Sequence, residues 1–275
     1  MPSKEAYDAN LHERLSELRK GDPAYELHSL VFMEAFVYAA NLHSDKLPQN
    51  ILDYGCGLGF MTAWLAGFNE NLVGIDVSKK AIEIAKAEHS GIPFYEIDKK
   101  PFSEMMPELG IEPFDQVILN MVLHSVDDDT VFKILKDVKK CLKPEGTIHI
   151  LVPNNEWVIY KLIDYAQDQG MERDNGGIAW VKNKLKKQAV EIPIKINGGE
   201  YYPEPITVYQ RSIDDYGRML TKSGFGVNRE SYDGKSKKLI GKNRTPFVEL
   251  NELQISHMEL LTRDRVLLMS FSLVE

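Results

Sequence analysis

The sequence predicts an α/β fold, with a mostly parallel sheet and helices on both of its faces. Between residues 50 and 152, short apolar runs typical of buried strands alternate with amphipathic helical patterns. Strands that alternate with helices pair in parallel through right-handed crossovers. Four of the predicted strands also end in a polar side chain, at Asp53, Asp76, Asp98 and Asn120. Because ligands of such sheets bind outside the carboxyl ends of the strands, these side chains mark a candidate site.

The composition narrows the class of protein. With 275 residues, 43% of them hydrophobic, the chain is long enough for one α/β domain with additions. The net charge of −8 disfavours nucleic acid as a partner, because nucleic-acid-binding proteins usually carry a basic surface. No apolar run approaches the ~18 residues of a membrane span, and the charged first residues lack an apolar signal region. We therefore expect a cytoplasmic protein that has no membrane partner.

The two cysteines do not indicate a disulfide framework or a metal site. Cys56 lies in a predicted loop and Cys141 in a predicted helix, without the spacing of metal ligands. The sequence also lacks a cluster of carboxylates or histidines with such spacing. We therefore expect no metal ion.

The stretch from Ile51 to Phe60 predicts a strand, a glycine loop and the start of a helix. Gly55, Gly57 and Gly59 occupy alternate positions after the strand. Glycine allows backbone angles that other residues rarely adopt, and it lets a ligand touch the main chain. The helix that follows offers unpaired N–H groups and the positive end of its dipole to an anion. The sequence therefore predicts a nucleotide-type cradle.

The second predicted strand ends at Asp76, 23 residues after Asp53. A carboxylate at this place has two acceptor oxygens and can bind both hydroxyls of a ribose. The alternative is that Asp76 only caps the following helix, although Ser78 is placed for that role. We expect Asp76 to bind the ribose of a nucleotide cofactor.

The spacing Gly-x-Gly-x-Gly, preceded by Asp53, resembles motif I of the class I S-adenosylmethionine (SAM) methyltransferases. The dinucleotide fingerprint Gly-x-Gly-x-x-Gly places its third glycine one residue later. The segment from Phe114 to Ser125 resembles motif IV of the small-molecule branch of this family, the branch that is like methyltransferase domain 11. The turn at residues 142–146 is a further feature of that branch, although Glu145 stands where glycine is more usual.

The resemblance implies a Rossmann-like, mostly parallel sheet of seven strands with an antiparallel C-terminal strand. It also implies SAM as the cofactor, with S-adenosylhomocysteine (SAH) as its product. The residues assigned to the cofactor lie in the glycine loop and at the carboxyl ends of the strands. They are Asp53, Tyr54, Gly55, Cys56, Gly57, Gly59, Asp76, Val77, Ile97, Asp98, Asn120 and Met121.

His124 lies just beyond the fourth predicted strand, on the side where the resemblance places the methyl group of SAM. Histidine has an unperturbed pKa near ~6.5, which suits a group that accepts a proton at neutral pH. His124 is therefore the candidate general base. The alternative is that His124 only shapes the pocket or hydrogen-bonds the backbone, because related sequences carry histidine here while methylating different acceptors.

The sequence divides into an N-terminal helical extension at residues 1–47 and a SAM-binding domain at residues 48–275. This domain carries an insertion at about residues 153–205, which is longer than a simple connection and contains several lysines. Long insertions in α/β enzymes are often lids over the substrate, although a solvated lysine face is the plainer interpretation. The candidate substrate residues are Tyr7, Tyr25, His28, Tyr201, Tyr202, Tyr209 and Arg211.

As a whole, the sequence indicates a SAM-dependent methyltransferase that acts on a small molecule, with O- or N-methylation favoured. A SAM-fold binding or scaffold protein without turnover is one alternative, and a damaged cofactor loop would mark it, whereas this loop is intact. An NAD-dependent oxidoreductase is a second alternative. Proteins of that class have a different glycine spacing, and they do not need the C-terminal strand pair that this sequence predicts. The sequence identifies neither the accepting atom nor the oligomeric state.

Overall fold

In the computed structural model, the described residues are 50–67, 71–97, 100–153, 155–171, 176–193, 201, 205–233, 238–240 and 266–273. They include the glycine loop, the strands on both sides of it and most of the predicted insertion. The predicted N-terminal extension at residues 1–47 lies outside them, as do Asp98 and Tyr202.

The described residues form alternating strands and helices, as the sequence predicts. The strands are β1 (Ile51–Tyr54), β2 (Leu72–Asp76), β3 (Phe94–Glu96), β4 (Phe114–Asn120), β5 (Leu142–Pro153), β6 (Ala189–Ile192), β7 (Ile206–Tyr209), β8 (Phe225–Asp233), β9 (Lys238–Ile240) and β10 (Val266–Leu273). The helices are α1 (Phe60–Ala66), α2 (Lys79–Glu88), α3 (Phe102–Leu109), α4 (Asp128–Cys141), α5 (Asn155–Asp168), α6 (Ile178–Lys184) and α7 (Ile213–Lys222). A short 3-10 turn, Leu123–Ser125, lies between β4 and α4.

The main sheet has the strand order β3-β2-β1-β4-β5-β10-β8-β9. β1 to β5 pair in parallel, whereas β10 runs antiparallel to both β5 and β8. The strands from β3 to β8 in this order form the predicted sheet, and the three-residue strand β9 extends its edge. The prediction of a Rossmann-like sheet with an antiparallel C-terminal strand is confirmed.

Helices cover both faces of the main sheet. α3, α4 and α7 pack on one face, where Phe102, Leu135 and Leu220 are fully buried. α1 and α2 pack on the other face through side chains such as Met61 and Ile82. This burial on both faces explains why the inner strands are almost continuously apolar in sequence.

The start of α4 is fixed directly behind the loop that leaves β4. Asp127 caps the helix, because its Oδ1 accepts a hydrogen bond from Thr130 N at 2.8 Å. Acidic residues occupy the first turn, and Lys139 and Lys140 occupy the last turn. Both arrangements stabilise the helix, because these charges interact favourably with its dipole. The short segment between β4 and α4 is therefore fixed where it enters α4.

The predicted insertion folds into a unit formed by α5, α6, β6 and β7, which we call the insertion unit. β6 and β7 pair in antiparallel orientation as a separate two-stranded sheet. The unit has an apolar core of its own, made by Val158, Leu162, Val181, Val190, Ile192 and Val208. The unit extends to the end of β7, beyond the predicted boundary at residue 205, because β7 contributes Val208 to this core.

None of the helices in the described part of the chain combines the length and apolar composition that a membrane crossing requires. Within the same ranges, no three His, Cys, Asp or Glu side chains are grouped so that they could hold a metal ion. Cys56 and Cys141 are both free thiols.

Candidate active site

The glycine loop follows β1 at the carboxyl edge of the sheet and contains three residues in the left-handed region. The φ angle is 84° at Gly55, 54° at Gly57 and 77° at Gly59. A Cβ atom at Gly55 would lie 2.4 Å from Val122 Cγ2, and one at Gly59 would lie 2.7 Å from Phe94 Cζ. A Cβ atom at Gly57 would have no described atom within 4 Å. Gly55 and Gly59 thus permit close packing inside the protein, whereas Gly57 leaves its main chain open to a ligand.

Asp76 joins the end of β2 to this loop. Its Oδ2 accepts a hydrogen bond from Gly57 N at 2.9 Å, and its Oδ1 accepts one from Ser78 N at 2.8 Å. Ser78 itself caps α2, because its Oγ accepts a hydrogen bond from Ala81 N at 3.1 Å. Each carboxylate oxygen can accept more than one hydrogen bond, so Asp76 keeps acceptor capacity for a ligand. The helix cap belongs to Ser78, and Asp76 positions the glycine loop.

Asp53, on the strand that leads into the loop, is only 1% exposed. Its Oδ2 accepts a hydrogen bond from Thr62 Oγ1 at 2.6 Å, while its Oδ1 is buried without a partner among the described residues. Burial raises the pKa of Asp53 to about 7; the Thr62 hydrogen bond opposes this, and the charge of Asp76 adds to it. A buried acceptor without a partner costs about 1–3 kcal/mol. A ligand that donates a hydrogen bond would remove this cost.

A second acceptor of this kind lies on the neighbouring strand. Asn120 Oδ1, at the end of β4, is buried without a partner in the described part of the chain. In the parallel register of β1 and β4, Asp53 stands beside Ile118, two residues before Asn120. Side chains two residues apart on a strand share a face, so Asp53 and Asn120 lie on the same face of the sheet. Two acceptors at one edge, one of them a carboxylate, complement a cationic donor such as an ammonium group.

Apolar side chains border the same edge. Val77 is 50% exposed and Met121 is 36% exposed, so both side chains leave apolar surface open at this edge. Met121 also has a φ of 57°, a conformation that costs about 1–3 kcal/mol for a non-glycine residue and is concentrated at functional sites. Half-buried Ile97 donates a hydrogen bond from its N to Asp76 O at 3.0 Å. These residues present apolar surface that the flat face of a nucleobase could cover.

The side chains of Tyr54 and Cys56 pack inside the protein, and their assignment to the cofactor stays a prediction. Tyr54 is 7% exposed, and its hydroxyl donates to Asp137 Oδ2 at 3.0 Å within the core. Burial, together with the Asp137 charge, raises the pKa of the Tyr54 hydroxyl. Cys56 packs against the apolar cluster of Ile82 and Phe94, and burial raises the pKa of its thiol. The main chain of Cys56 is also bonded within the protein, because its N donates to Ile75 O and its O accepts from Gly59 N, each at 2.9 Å.

His124 lies in the 3-10 turn after β4 and is 6% exposed. Burial lowers the pKa of His124 to about 4, with a further decrease caused by the positive charge of Arg211. Its Nδ1 is buried and has no hydrogen-bond partner among the described residues. The pKa near ~6.5 on which the sequence prediction relied is therefore not retained, and the ring is neutral at pH 7.

Arg211 is buried, which corrects its predicted role as a substrate contact. It is 3% exposed, and its Nε and Nη2 donate to Asp128 Oδ1 at 2.9 and 2.7 Å. Its Nη1 and Nη2 also donate to the carbonyl oxygens of Leu123 and Val126. Its partners thus belong to the protein, so Arg211 holds the loop after β4.

The remaining predicted substrate residues are distributed between the insertion unit and undescribed parts of the chain. Tyr209, at the end of β7, is half-buried with the guanidinium of Arg211 over its ring at 5.2 Å from the ring centre. Tyr201 donates from its hydroxyl to Asp168 Oδ2 at 2.5 Å and packs edge-on against Tyr165. Partial burial and this bond to Asp168 raise its pKa. The candidates outside the described residues are Tyr7, Tyr25, His28 and Tyr202.

Three residues that support the site were missed by sequence reasoning. Thr62 binds the Asp53 carboxylate, and Asp137 accepts hydrogen bonds from the first two N–H groups of α3. His89, at the end of α2, lies with its Nε2 3.1 Å from Leu58 O of the glycine loop. Thr62 lies in the first turn of the helix after the loop, and that position was a usable signal. For Asp137 and His89 the sequence offers no such signal, because their hydrogen-bond partners are distant in the chain.

The fold and the edge site together define the class of protein. A mostly parallel sheet with the antiparallel strand β10, a glycine loop after β1 and a carboxylate at the end of β2 are the features of a class I SAM-dependent methyltransferase. The chain belongs to the family described as a methyltransferase domain, whose model matches residues 25–190, more than half of the chain. SAM, the cofactor that the sequence predicted, is the cofactor of this class.

Known proteins similar to this chain include methyltransferases with different acceptors. The chain is 40% identical over 115 residues to a ubiquinone biosynthesis O-methyltransferase of Pelagibacter ubique. The aligned region covers 40% of this chain and 45% of that protein. The chain is 30% identical over 114 residues to an N-demethylindolmycin N-methyltransferase of Streptomyces griseus, with 41% and 47% covered. The chain thus spans about half the length of these curated relatives.

A solved structure resembles this chain over almost its whole length. The magnesium protoporphyrin IX methyltransferase of Synechocystis PCC 6803 with bound SAH has a TM-score of 0.56, and the likeness covers 98% of this chain and 97% of that chain. The two sequences are 13% identical, so the likeness concerns the fold alone.

Proposed function

We propose that this protein is a SAM-dependent methyltransferase that transfers a methyl group to a small-molecule acceptor, with an oxygen or nitrogen atom favoured as the accepting atom. One observation carries the proposal: the two buried, unpartnered acceptors Asp53 Oδ1 and Asn120 Oδ1 flank the open glycine loop, within the described residues. The methionine part of SAM carries an ammonium group, which is the cationic donor that these acceptors require.

The residues at the edge fit the other parts of the cofactor as well. Asp76 has acceptor capacity for the ribose hydroxyls, and the main chain of Gly57 lies open beside it. The exposed side chain of Val77 offers an apolar surface to the adenine ring. Met121, which is held in a left-handed conformation, offers a second apolar surface at the end of β4. This fit supports SAM as the cofactor.

When bound, the cofactor supplies an electrophilic methyl group on a sulfonium. The contribution of this chain is to align the acceptor and to exclude water from the site. We infer that His124 stays neutral and accepts a hydrogen bond from an O–H or N–H of the acceptor. A pKa of about 4 makes its ring a weaker base than free histidine, so positioning is a better-suited role than complete removal of a proton. The general-base role stays a prediction.

We infer that the insertion unit covers the acceptor side of the site. β7 packs against the 3-10 turn that carries His124, and α5 begins directly after β5, at the carboxyl edge of the sheet. The N-terminal extension at residues 1–47 stays a prediction as a second part of this cover. A cytoplasmic location and the absence of a nucleic-acid partner likewise stay predictions.

The accepting atom follows from neither the fold nor the site. The names of the two relatives refer to an oxygen and a nitrogen acceptor, and both are small-molecule methyltransferases by name. This range of acceptors supports a small molecule and favours oxygen or nitrogen over carbon.

Calorimetric titration with SAM, SAH and NADH tests the cofactor. We expect SAM and SAH to bind and NADH not to compete, because the glycine spacing and the two acceptors suit the methionine part of SAM. Tight binding of NADH in competition with SAM would favour the oxidoreductase alternative.

Turnover is tested by incubation with SAM labelled at the methyl group and a small-molecule extract, followed by mass spectrometry. A labelled product and the formation of SAH are expected. Binding of SAM without the formation of SAH in any extract would favour the binding or scaffold alternative.

A further inference from the structure

Arg211 lies at the boundary between the insertion unit and the loop after β4. It stands two residues after the end of β7 and directly before Ser212, the cap of α7. It is 3% exposed. A buried guanidinium is strongly destabilising unless its N–H groups have partners. The identity of those partners therefore indicates the role of Arg211.

Two of the partners are carbonyl groups on either side of His124. Arg211 Nη1 donates to Leu123 O and Nη2 donates to Val126 O, each at 2.7 Å. Leu123 is the first residue of the 3-10 turn, and Val126 follows its last residue. A guanidinium is planar and rigid, so a single group that binds both carbonyls sets the orientation of the turn and of the His124 ring.

Asp128 links the same guanidinium to the start of the β6–β7 hairpin. Asp128 Oδ1 accepts hydrogen bonds from Arg211 Nε and Nη2 at 2.9 and 2.7 Å. Gln188, the residue before β6, donates from Nε2 to the two oxygens of that carboxylate at 3.3 and 3.4 Å. Gln210, the residue after β7, donates from its N to Gln188 O at 2.8 Å. Both ends of the hairpin therefore meet at Asp128.

Aromatic rings hold the guanidinium in place. The Cζ atom of Arg211 lies over the ring of Tyr209 at 5.2 Å and over the ring of Tyr216 at 5.8 Å from the ring centres. Both distances are in the range of cation–π contacts. Tyr209 belongs to the insertion unit and Tyr216 to α7, so Arg211 contacts three parts of the fold at once.

We propose that Arg211 is a positioning residue that attaches the turn carrying His124 to the β6–β7 hairpin, so that the hairpin and not β4 alone sets the position of the His124 ring. The assignment of His124 to the acceptor side rests on the proposed function. The attachment itself does not depend on a ligand. Arg211 thereby acts on the site through His124, without contact to the acceptor.

The test measures the ring nitrogens of His124 by NMR in the full chain labelled with ¹⁵N at histidine, with His124→Gln used for assignment. Arg211→Gln should shift and broaden these signals. The same change should accelerate the exchange of the Ser125 N–H, which bonds to Val122 O at 3.1 Å, by about tenfold or more. Arg211→Lys keeps the charge, but it has three donors where Arg211 makes four hydrogen bonds, and it lacks the planar fork. It should therefore have an intermediate effect.

Arg218→Gln is the matched control. Arg218 lies on α7, its side chain is 66% exposed and it pairs with Asp215, so its removal should leave the His124 signals as in the wild type. The proposal is wrong if Arg211→Gln is folded and leaves the His124 signals and the Ser125 exchange unchanged. If Arg211→Gln does not fold, unchanged signals in Arg211→Lys overturn the proposal in the same way. Titration of the wild type with SAH separates the two proposals, because failure to bind SAH contradicts the proposed function and leaves the His124 measurement valid.

Discussion

The backbone N–H of Gly57 donates a hydrogen bond to Asp76 Oδ2, with 2.9 Å between nitrogen and oxygen. This bond joins the loop after β1 to the end of β2. The proposed contacts with the methionine part and with the ribose of SAM therefore depend on each other. A change at Asp76 should disturb the ribose contact and the shape of the loop together.

Replacement of Asp76 by asparagine should weaken SAM binding by at least about tenfold, because hydrogen bonds to a charged group contribute about 1.5–3 kcal/mol each. Calorimetric titration with SAM is the measurement. Asp115→Asn is the matched control, since the Asp115 carboxylate binds Asn50 N and Lys143 Nζ near the start of β4, at the opposite edge of the sheet. Equal SAM affinity in the wild type and in Asp76→Asn would remove Asp76 from the cofactor site.

The glycines of the loop should respond differently to alanine. Gly57→Ala adds a methyl group in open space at a φ of 54°, so it should cost about 1–2 kcal/mol of unfolding free energy and weaken SAM binding. Gly59→Ala places its methyl group 2.7 Å from Phe94 Cζ and should cost more, about 2–4 kcal/mol. Urea denaturation and SAM titration measure the two effects. A larger loss of stability in Gly57→Ala than in Gly59→Ala would contradict this account of the loop.

Asp53 should make the protein less stable as the pH rises towards neutrality. Its pKa is about 7 in the folded protein against an ordinary value of 3.8. Between these values the folded protein binds more protons than the unfolded chain, so the free energy of unfolding falls as the pH rises. Asp53→Asn removes this pH-dependent decrease in the free energy of unfolding, which is on the order of 4 kcal/mol for such a shift.

Urea denaturation across this pH range should therefore give a flatter stability curve for Asp53→Asn than for the wild type, and SAM binding should be weaker in the variant. Thr62→Val is the comparison variant, because it removes the hydrogen bond that lowers the pKa of Asp53 and should extend the fall in stability to higher pH. Parallel curves for the wild type and Asp53→Asn would show that folding does not raise the pKa of Asp53.

Two buried histidines should act on stability with the opposite sign. Burial lowers the pKa to about 4 for His124 and to about 3 for His149, against 6.5 for a free histidine. The unfolded chain takes up these protons first as the pH falls, so the contribution to stability is complete above about pH 6.5 and is lost progressively below it. In an NMR titration, neither ring should protonate between about pH 5.5 and 8. A midpoint near 6.5 for His124 would restore it as a general base with an ordinary pKa.

The interpretation from sequence succeeded where the signal is local. The strand, loop and helix around Gly55, Gly57 and Gly59 follow from residues within ten positions of each other, and the alternation of strands with helices determines the parallel sheet. Because the carboxyl ends of parallel strands meet at one edge, Asp53, Asp76 and Asn120 could be placed there before any contact was known.

The directions of individual side chains could not be read in this way. Tyr54 follows Asp53 in the sequence, yet its hydroxyl binds Asp137, 83 positions away. Arg211 was predicted to contact the substrate, but its guanidinium donates to Leu123 O, 88 positions earlier. The pKa of His124 depends on its burial and on the charge of Arg211, and neither property is visible in the residues next to it.

The sequence by itself determined the class of fold, because hydrophobic periodicity and chain order are local signals. Its resemblance to the class I SAM methyltransferases indicated the kind of cofactor, and the edge of the sheet at which a ligand binds stays a prediction. The tertiary structure decided which polar groups remain available. It satisfied Oδ2 of Asp53 through Thr62 and left its Oδ1 without a partner in the described part of the chain. It also enclosed Arg211 within protein partners. The physical reason is that burial and hydrogen bonding depend on which distant segments pack together, and no local pattern encodes that packing.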